Sequence, residues 1–186
     1  MDIPKDARII IIEGIAGSGK TTLHDSLKKH FKSKKVYLFT EEELLMGWKH
    51  IHIPEISSLR MIFLNKLLDY IEDKMKREPD AVFILERFHI SLRILEWEFG
   101  KDFEKNYSSL LSRVKRLPVH ILIPVLKESQ IKEKASHYER SSQWKNYLNE
   151  KLKLRGFSDL GAMYKEEQKK VLNIAKEQGI SYSLID

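Results

Sequence analysis

Gly14-Ile15-Ala16-Gly17-Ser18-Gly19-Lys20-Thr21 fits G-x-x-x-x-G-K-[ST], the loop that wraps the phosphates of a nucleoside triphosphate. Its flanks make the match informative. Before it, Ala7-Arg8-Ile9-Ile10-Ile11-Ile12-Glu13 holds an unbroken apolar run suited to a buried strand. After it, Leu23, Leu27 and Phe31 recur at helical spacing. Strand, glycine loop and helix thus occur in the order that phosphate binding needs. The glycines let backbone N–H groups turn inward without side-chain clash, and the helix N-terminus adds partial positive charge. The candidate phosphate-binding residues are therefore Gly14, Ile15, Ala16, Gly17, Ser18, Gly19, Lys20, Thr21 and Thr22. Lys20 is expected to reach the outer phosphates, and the Thr21 hydroxyl to ligate Mg²⁺.

Outward from the loop, apolar runs at 8–13, 36–39, 81–86, 119–125 and 180–185 read as buried strands. They alternate with helical patterns, which predicts an α/β domain built on a doubly wound parallel sheet. One helix is expected over about 56–76, with Leu59, Ile62, Phe63, Leu67, Tyr70, Ile71 and Met75 as its core stripe. Pro79-Asp80 breaks the chain before the third strand. Ser91 opens another helical pattern, and Phe103, Tyr107, Leu110, Leu111 and Val114 mark the next. The last helix is expected over about 159–177, with Leu160, Met163, Tyr164, Val171, Leu172 and Ala175 inward. The charged stretch 127–155 is too polar for core and too long for a plain loop.

The 186 residues are most simply a single domain, 1–186. Hydrophobic content of 42% against 32% charged excludes a disordered chain. The absence of cysteine excludes disulfide scaffolds, thiolate zinc sites and thiol nucleophiles, and the seven histidines lack metalloprotease spacing. The net charge is +6 and the pI about 9.3. Its lysines are mixed with glutamates and not interleaved with aromatics, so a solvated surface or attraction of phosphorylated substrates explains them better than nucleic-acid binding. The acidic N-terminus lacks a signal peptide's apolar stretch, and no apolar run is long enough to cross a bilayer. A cytoplasmic protein with no membrane partner is expected.

In an open parallel sheet, ligands bind outside the carboxyl ends of the strands. The phosphate loop follows strand one, and Thr40-Glu41-Glu42-Glu43 follows strand two. Strand three ends in Glu86-Arg87-Phe88-His89, and strand four leads to Lys127 and Glu128. All should gather on one edge. Phosphoryl transfer needs a cation over the phosphates, Mg²⁺ and a carboxylate to take the acceptor's proton, and that edge carries candidates for each. Glu86 stands where an acid would approach Mg²⁺, with Arg87 beside it for phosphate or carboxylate. Three successive glutamates could equally be an acidic helix first turn, although they directly follow a strand.

Ile12-Glu13-Gly14 running into the loop, Phe39-Thr40-Glu41-Glu42, and Glu86-Arg87-Phe88 with Ser91 resemble thymidylate kinases and deoxynucleoside kinases of the P-loop kinase group. So does the C-terminal stretch, with Tyr164, Val171 and Leu172 before Ser181-Tyr182-Ser183-Leu184-Ile185-Asp186. The resemblance implies a five-stranded sheet in the order 2-3-1-4-5 with helices on both faces and a helical lid. It implies ATP with Mg²⁺ as donor, and a nucleoside or nucleoside monophosphate as acceptor. The glutamate after strand two would be the base or orienting group: counting back from Trp48 favours Glu43, whereas matching Phe-Thr-x-Glu favours Glu42. Residues 127–155 would be the lid, with Lys132, Lys134, His137 and Arg140 as candidate phosphate contacts. Tyr138, Trp144, Tyr147 and Leu148 would form its apolar face. Homodimerisation through the 56–76 helix is common in such kinases, though no residue pattern here demands it.

Departures from that pattern bear on the acceptor. Thymidylate kinases carry an arginine after strand two that grips the acceptor's phosphate. The matching helix here has Asn65 and Lys66, with Arg60 one turn earlier, and the usual Pro-Gly is absent. Both differences favour a nucleoside hydroxyl, or another small alcohol, over a monophosphate. Trp48, Phe63, Phe88 and Trp97 are candidates to stack on an acceptor base. A regulatory GTPase is disfavoured, because Asn65-Lys66-Leu67-Leu68 fails the base-reading motif and lies inside a helix. A nucleotide-binding protein without transfer activity, and a polynucleotide end kinase, are the rival classes.

Overall fold

The computed structural model describes residues 2–95, 102–135 and 141–186. The chain runs β1 (Ile9–Ile12), α1 (Lys20–His30), β2 (Lys35–Phe39), α2 (Ile56–Arg77), β3 (Ala81–Glu86) and α3 (His89–Leu95). It continues with α4 (Phe103–Val114), β4 (Val119–Pro124), α5 (Glu128–Ala135), α6 (Ser142–Arg155), α7 (Leu160–Gln178) and β5 (Tyr182–Ile185). All strand pairs are parallel, in the order β2-β3-β1-β4-β5. That is the doubly wound α/β sheet the sequence predicts, down to the strand order.

The four isoleucines of β1 are buried because the sheet is covered on both faces. Ile9 and Ile11 join Phe83, Leu85 and Ile121 against α2, α4 and α7. Ile10 and Ile12 join Val82, Ile84 and Leu122 against Leu23 and Leu27 of α1. A third cluster packs Ile15 of the glycine loop against Ile131, Trp144, Tyr147 and Leu148 from α5 and α6, and Met163 and Tyr164 from α7. The charged 127–155 stretch is thus anchored over the loop by its own apolar face.

Register places the chemistry. Ile12 stands opposite Glu86, and the Arg87 N–H donates to the Ile12 carbonyl at 2.8 Å. The ends of β1 and β3 therefore lie side by side. The last helix starts after Asp159, whose carboxylate accepts from the Ala162 N–H at 2.9 Å as an N-cap.

The inward face of α2 differs from expectation. Ile56, Arg60, Met61, Leu64, Leu67, Leu68 and Ile71 are buried, Phe63 and Met75 are partly buried, and Leu59, Ile62 and Tyr70 are exposed, Ile62 by 62%. The cause is Arg60. It is fully buried, with Nε donating to the Leu45 carbonyl at 2.5 Å and Nη2 to that of Gly47 at 3.4 Å. A stripe chosen by hydropathy rejects that residue and settles on the neighbouring face. Among the described residues, no helix is long and apolar enough to cross a membrane.

Candidate active site

Two cavities open on the C-terminal edge of the sheet. The larger, about 720 Å³, is lined by the glycine loop, Lys20, Thr21, Thr22, Glu86, Lys49 and Lys134. The smaller, about 310 Å³, is lined by Met46, Arg60, Tyr147, Lys151, Tyr164 and Glu167 among others. They share Ala16, Glu41, Trp48, Arg87 and Trp144, which form the passage between them.

The loop takes its shape from backbone that only glycine adopts freely. Gly14 has φ 154°, and a Cβ there would lie 2.9 Å from the Ser18 hydroxyl and 3.3 Å from the Pro124 carbonyl. Gly19, at φ 87°, opens α1. The Ser18 Oγ is buried without a hydrogen-bond partner. Lys20 is buried and donates from Nζ to the Ile15 carbonyl at 2.9 Å, folding back over its own loop. The Thr21 hydroxyl donates to Glu86 at 3.0 Å. A buried cation and helix N–H groups around one cavity suit a polyphosphate. No group of three or more His, Asp or Glu residues that could hold a metal occurs among the described residues. A Mg²⁺ at Thr21 and Glu86 fits on one condition, that phosphate and water oxygens complete its shell, which is how Mg²⁺ is usually held.

Burial, assisted by the Arg87 charge, lowers the Lys20 ammonium to about 7, against the opposing pull of Glu41, Glu86 and Glu13. Arg87 also resists burial, but the adjoining Glu41 outweighs that and raises its pKa above arginine's usual value.

The three glutamates after β2 take separate paths. Glu41 accepts from Arg87 Nε at 2.5 Å in the passage between the cavities. Glu42 turns along the larger cavity's rim and pairs with His50 at 3.2 Å. Glu43 folds back on Thr40, accepting from its N–H at 2.8 Å, and lines neither cavity. The segment is a tight turn rather than a helix, with Met46 N–H bonded to the Glu41 carbonyl at 2.7 Å and Leu45 at φ 57°. In such a turn, side-chain direction changes at each residue, so spacing does not decide which of the three faces the passage.

Arg87 is held from behind. Its backbone is left-handed at φ 69°, a strained conformation for a side chain this large. Glu13, at the end of β1, is fully buried and accepts from the N–H groups of Phe88 (2.9 Å), Ile90 (3.2 Å) and Ser91 (3.2 Å), and from the Ser91 hydroxyl. The Ser91 hydroxyl accepts in turn from Arg87 Nη1 at 3.2 Å. A hydrogen-bonded chain Glu13–Ser91–Arg87–Glu41 thus runs from the root of the phosphate loop to the passage.

At the far wall of the smaller cavity, Glu167 of α7 lies 2.6 Å from Lys151 and 2.6 Å from Arg155, both of α6. Arg155 also donates to the Ile94 carbonyl. Burial lowers the Lys151 pKa, opposed by Glu167.

Of the lid candidates, Lys134 lines the larger cavity, whereas Lys132 lies beside Gly161 and lines neither. His137, Arg140 and Tyr138 lie outside the described residues, as does Trp97. Among the aromatic candidates, Trp48 lies in the passage, stacked on Tyr147 at 5.6 Å. Phe88 is fully buried in the main core, and Phe63 packs against it. The sequence reading named Arg60 without placing it inward, and missed Lys151 and Glu167. Each sits on the apolar stripe of its helix, and a charge in that position was the available signal.

No protein-family model matches the sequence, nor does any curated protein. Solved structures do match. The YorR protein of Bacillus subtilis, in complex with phosphorylated GDP, gives a TM-score of 0.55 at 19% identity over 96% of this chain and 85% of its own. The thymidylate kinase of Candida albicans gives 0.56 at 18%, over 96% and 83%. That of Ehrlichia chaffeensis gives 0.53 at 16%, over 96% and 92%. With the sheet order and the glycine loop, these likenesses give the chain the fold of the P-loop nucleotide kinases.

Proposed function

We propose that the protein is an ATP-dependent kinase that transfers the γ-phosphate to a nucleoside hydroxyl. One observation carries this: a carboxylate, Glu41, is held by Arg87 in the passage between a polyphosphate-shaped cavity and a second, aromatic-lined one. A hydroxyl acceptor needs a group to take its proton, and a phosphate acceptor does not. In the proposed step the acceptor oxygen bonds to the γ-phosphorus, the bond to the β–γ bridging oxygen breaks, and the proton passes to Glu41. Lys20 neutralises charge on the transferred group. Thr21 and Glu86 would hold Mg²⁺, which would supply positive charge to the phosphates. Arg87 keeps Glu41 in place and lends positive charge at the passage. Lys134 covers the donor from the lid.

A second reading is a nucleoside monophosphate acceptor, favoured by the buried Arg60 on the acceptor cavity. Incubation with Mg-ATP and a panel of deoxynucleosides and their 5′-monophosphates separates the two. ADP release that depends on nucleosides supports the first reading, and release that depends on monophosphates supports the second. ATP binding with no acceptor-dependent release overturns both in favour of a non-catalytic binder.

The low pKa of Lys20 gives a pH signature. The free protein's Lys20 is largely neutral above pH 7, and a polyphosphate against Nζ stabilises its charged form. Nucleotide binding at pH 8 should therefore take up a proton, and affinity should weaken as pH rises from 7 to 9, by about tenfold per unit at the steepest. Calorimetry in buffers of different ionisation enthalpy counts that proton. Lys20→Met should remove the uptake, leaving the nucleotide's own titration.

A further inference from the structure

The far wall of the acceptor cavity carries a charged pair that the transfer step does not use. Lys151 and Glu167 each expose about 4% of their surface and both line the cavity. The Glu167 Oε1 takes both Lys151 and Arg155, at 2.6 Å each. The Glu167 side chain lines the cavity. The Lys151 ammonium carries three N–H donors, of which one suffices for Glu167. A hydrogen-bond acceptor and a donor, both charged and fixed side by side, thus look into a space walled by Trp144, Tyr147 and Tyr164.

A purely structural ion pair would be better satisfied away from a cavity, because desolvating two charges is costly unless their remaining lone pairs and protons find partners. Here both members of the pair line the ligand space, where a bound group can meet those needs. The complementary group is planar, to lie among aromatic rings, and presents an N–H beside an acceptor. Hydrogen bonds to an ionised carboxylate strengthen as the donor becomes more acidic, and an ammonium suits a carbonyl oxygen. A lactam edge, a ring N–H next to C=O, meets both demands better than an amino group beside a ring nitrogen.

We infer that Lys151 and Glu167 read the lactam edge of the acceptor's base, Glu167 Oε2 accepting the ring N–H and Lys151 Nζ donating to the neighbouring carbonyl. This selects bases such as thymine, uracil and guanine over adenine and cytosine. It rests on the acceptor reading of the smaller cavity, but equilibrium binding tests it without any transfer.

Trp48 and Trp144 line the cavity, so intrinsic fluorescence can follow titration with nucleosides in the absence of ATP. Thymidine or guanosine should bind at least about tenfold tighter than adenosine or cytidine. Their ring N-methyl derivatives, 3-methylthymidine and 1-methylguanosine, should lose that advantage. Glu167→Gln and Lys151→Met should flatten the preference while leaving ATP affinity within about twofold. Should either variant fail to fold, the methylated ligands decide the matter on the native protein. Equal binding of methylated and unmethylated bases, preference for adenine or cytosine, or no nucleoside binding at millimolar concentration overturns the inference. Base selection without phosphoryl transfer would uphold it and overturn the kinase reading. Transfer without base selection would do the reverse.

Discussion

Lys20→Ala should lower phosphoryl transfer by on the order of 10³-fold while leaving the fold intact. Charge developing on the transferred group is stabilised by groups fixed in advance in a water-poor site, and losing one donor there typically costs on the order of 10²–10³-fold. Lys20 is buried and already lies over the loop, so little reorganisation precedes the reaction. Stability should move differently. The depressed pKa means that holding the ammonium inside the loop is unfavourable in the free protein. Alanine removes that penalty, which offsets the packing lost with the side-chain stem. Circular dichroism melts should therefore stay near the native midpoint as kcat/KM collapses. Transfer at near-native rate would remove Lys20 from its assigned role.

The second large effect belongs to Glu41. Glu41→Gln should reduce kcat by on the order of 10²–10⁴-fold, the usual contribution of a positioned general base, with KM for ATP changed little. Glu42→Gln and Glu43→Gln should each change kcat by less than about threefold, since one faces His50 and the other Thr40. Glutamine keeps one oxygen for Arg87 and so preserves most of the geometry. Glu41→Ala should instead leave a buried guanidinium without its carboxylate, at a cost of several kcal/mol in stability. Comparing the two variants separates chemistry from folding. An equal loss of kcat in all three glutamine variants would sink the assignment of Glu41.

How much of this was legible follows from what each residue's neighbours are. The strands could be read because buried parallel strands are continuous apolar runs, and Ile9 to Ile12 is among the plainest, whereas their order came from the kinase resemblance alone. The glycine loop could be read because its mechanism dictates both residue types and spacing. The choice among Glu41, Glu42 and Glu43 could not, since three like residues in one tight turn differ only in direction, and tertiary contacts with Arg87, His50 and Thr40 set that direction. Lys151 and Glu167 escaped, and Arg60 was left off the inward face of its helix, for a common reason. Hydropathy patterning treats a charge as evidence of a solvent-facing position, whereas a cavity lets a helix turn charged side chains inward. On α6, Trp144, Tyr147, Leu148 and Lys151 follow helical spacing without a break. On α7, Met163, Tyr164, Glu167 and Val171 do the same. A charge in register with apolar neighbours was the mark of the site.

On the kinase reading proposed above, the buried Glu13 bears on how the substrate could change. Because one carboxylate gathers the amides behind Arg87 while rooted at the base of the glycine loop, donor grip and acceptor aim are inherited as a unit. The walls contributed by α6 and α7 meet that knot at its edges, through Arg155 on the Ile94 carbonyl of α3 and Ile15 packed against Trp144, Tyr147 and Tyr164. Drift, or a designer, can reshape what the protein accepts by remodelling those two helices, whereas importing a loop with a different residue at 13 would unsettle the arginine as well.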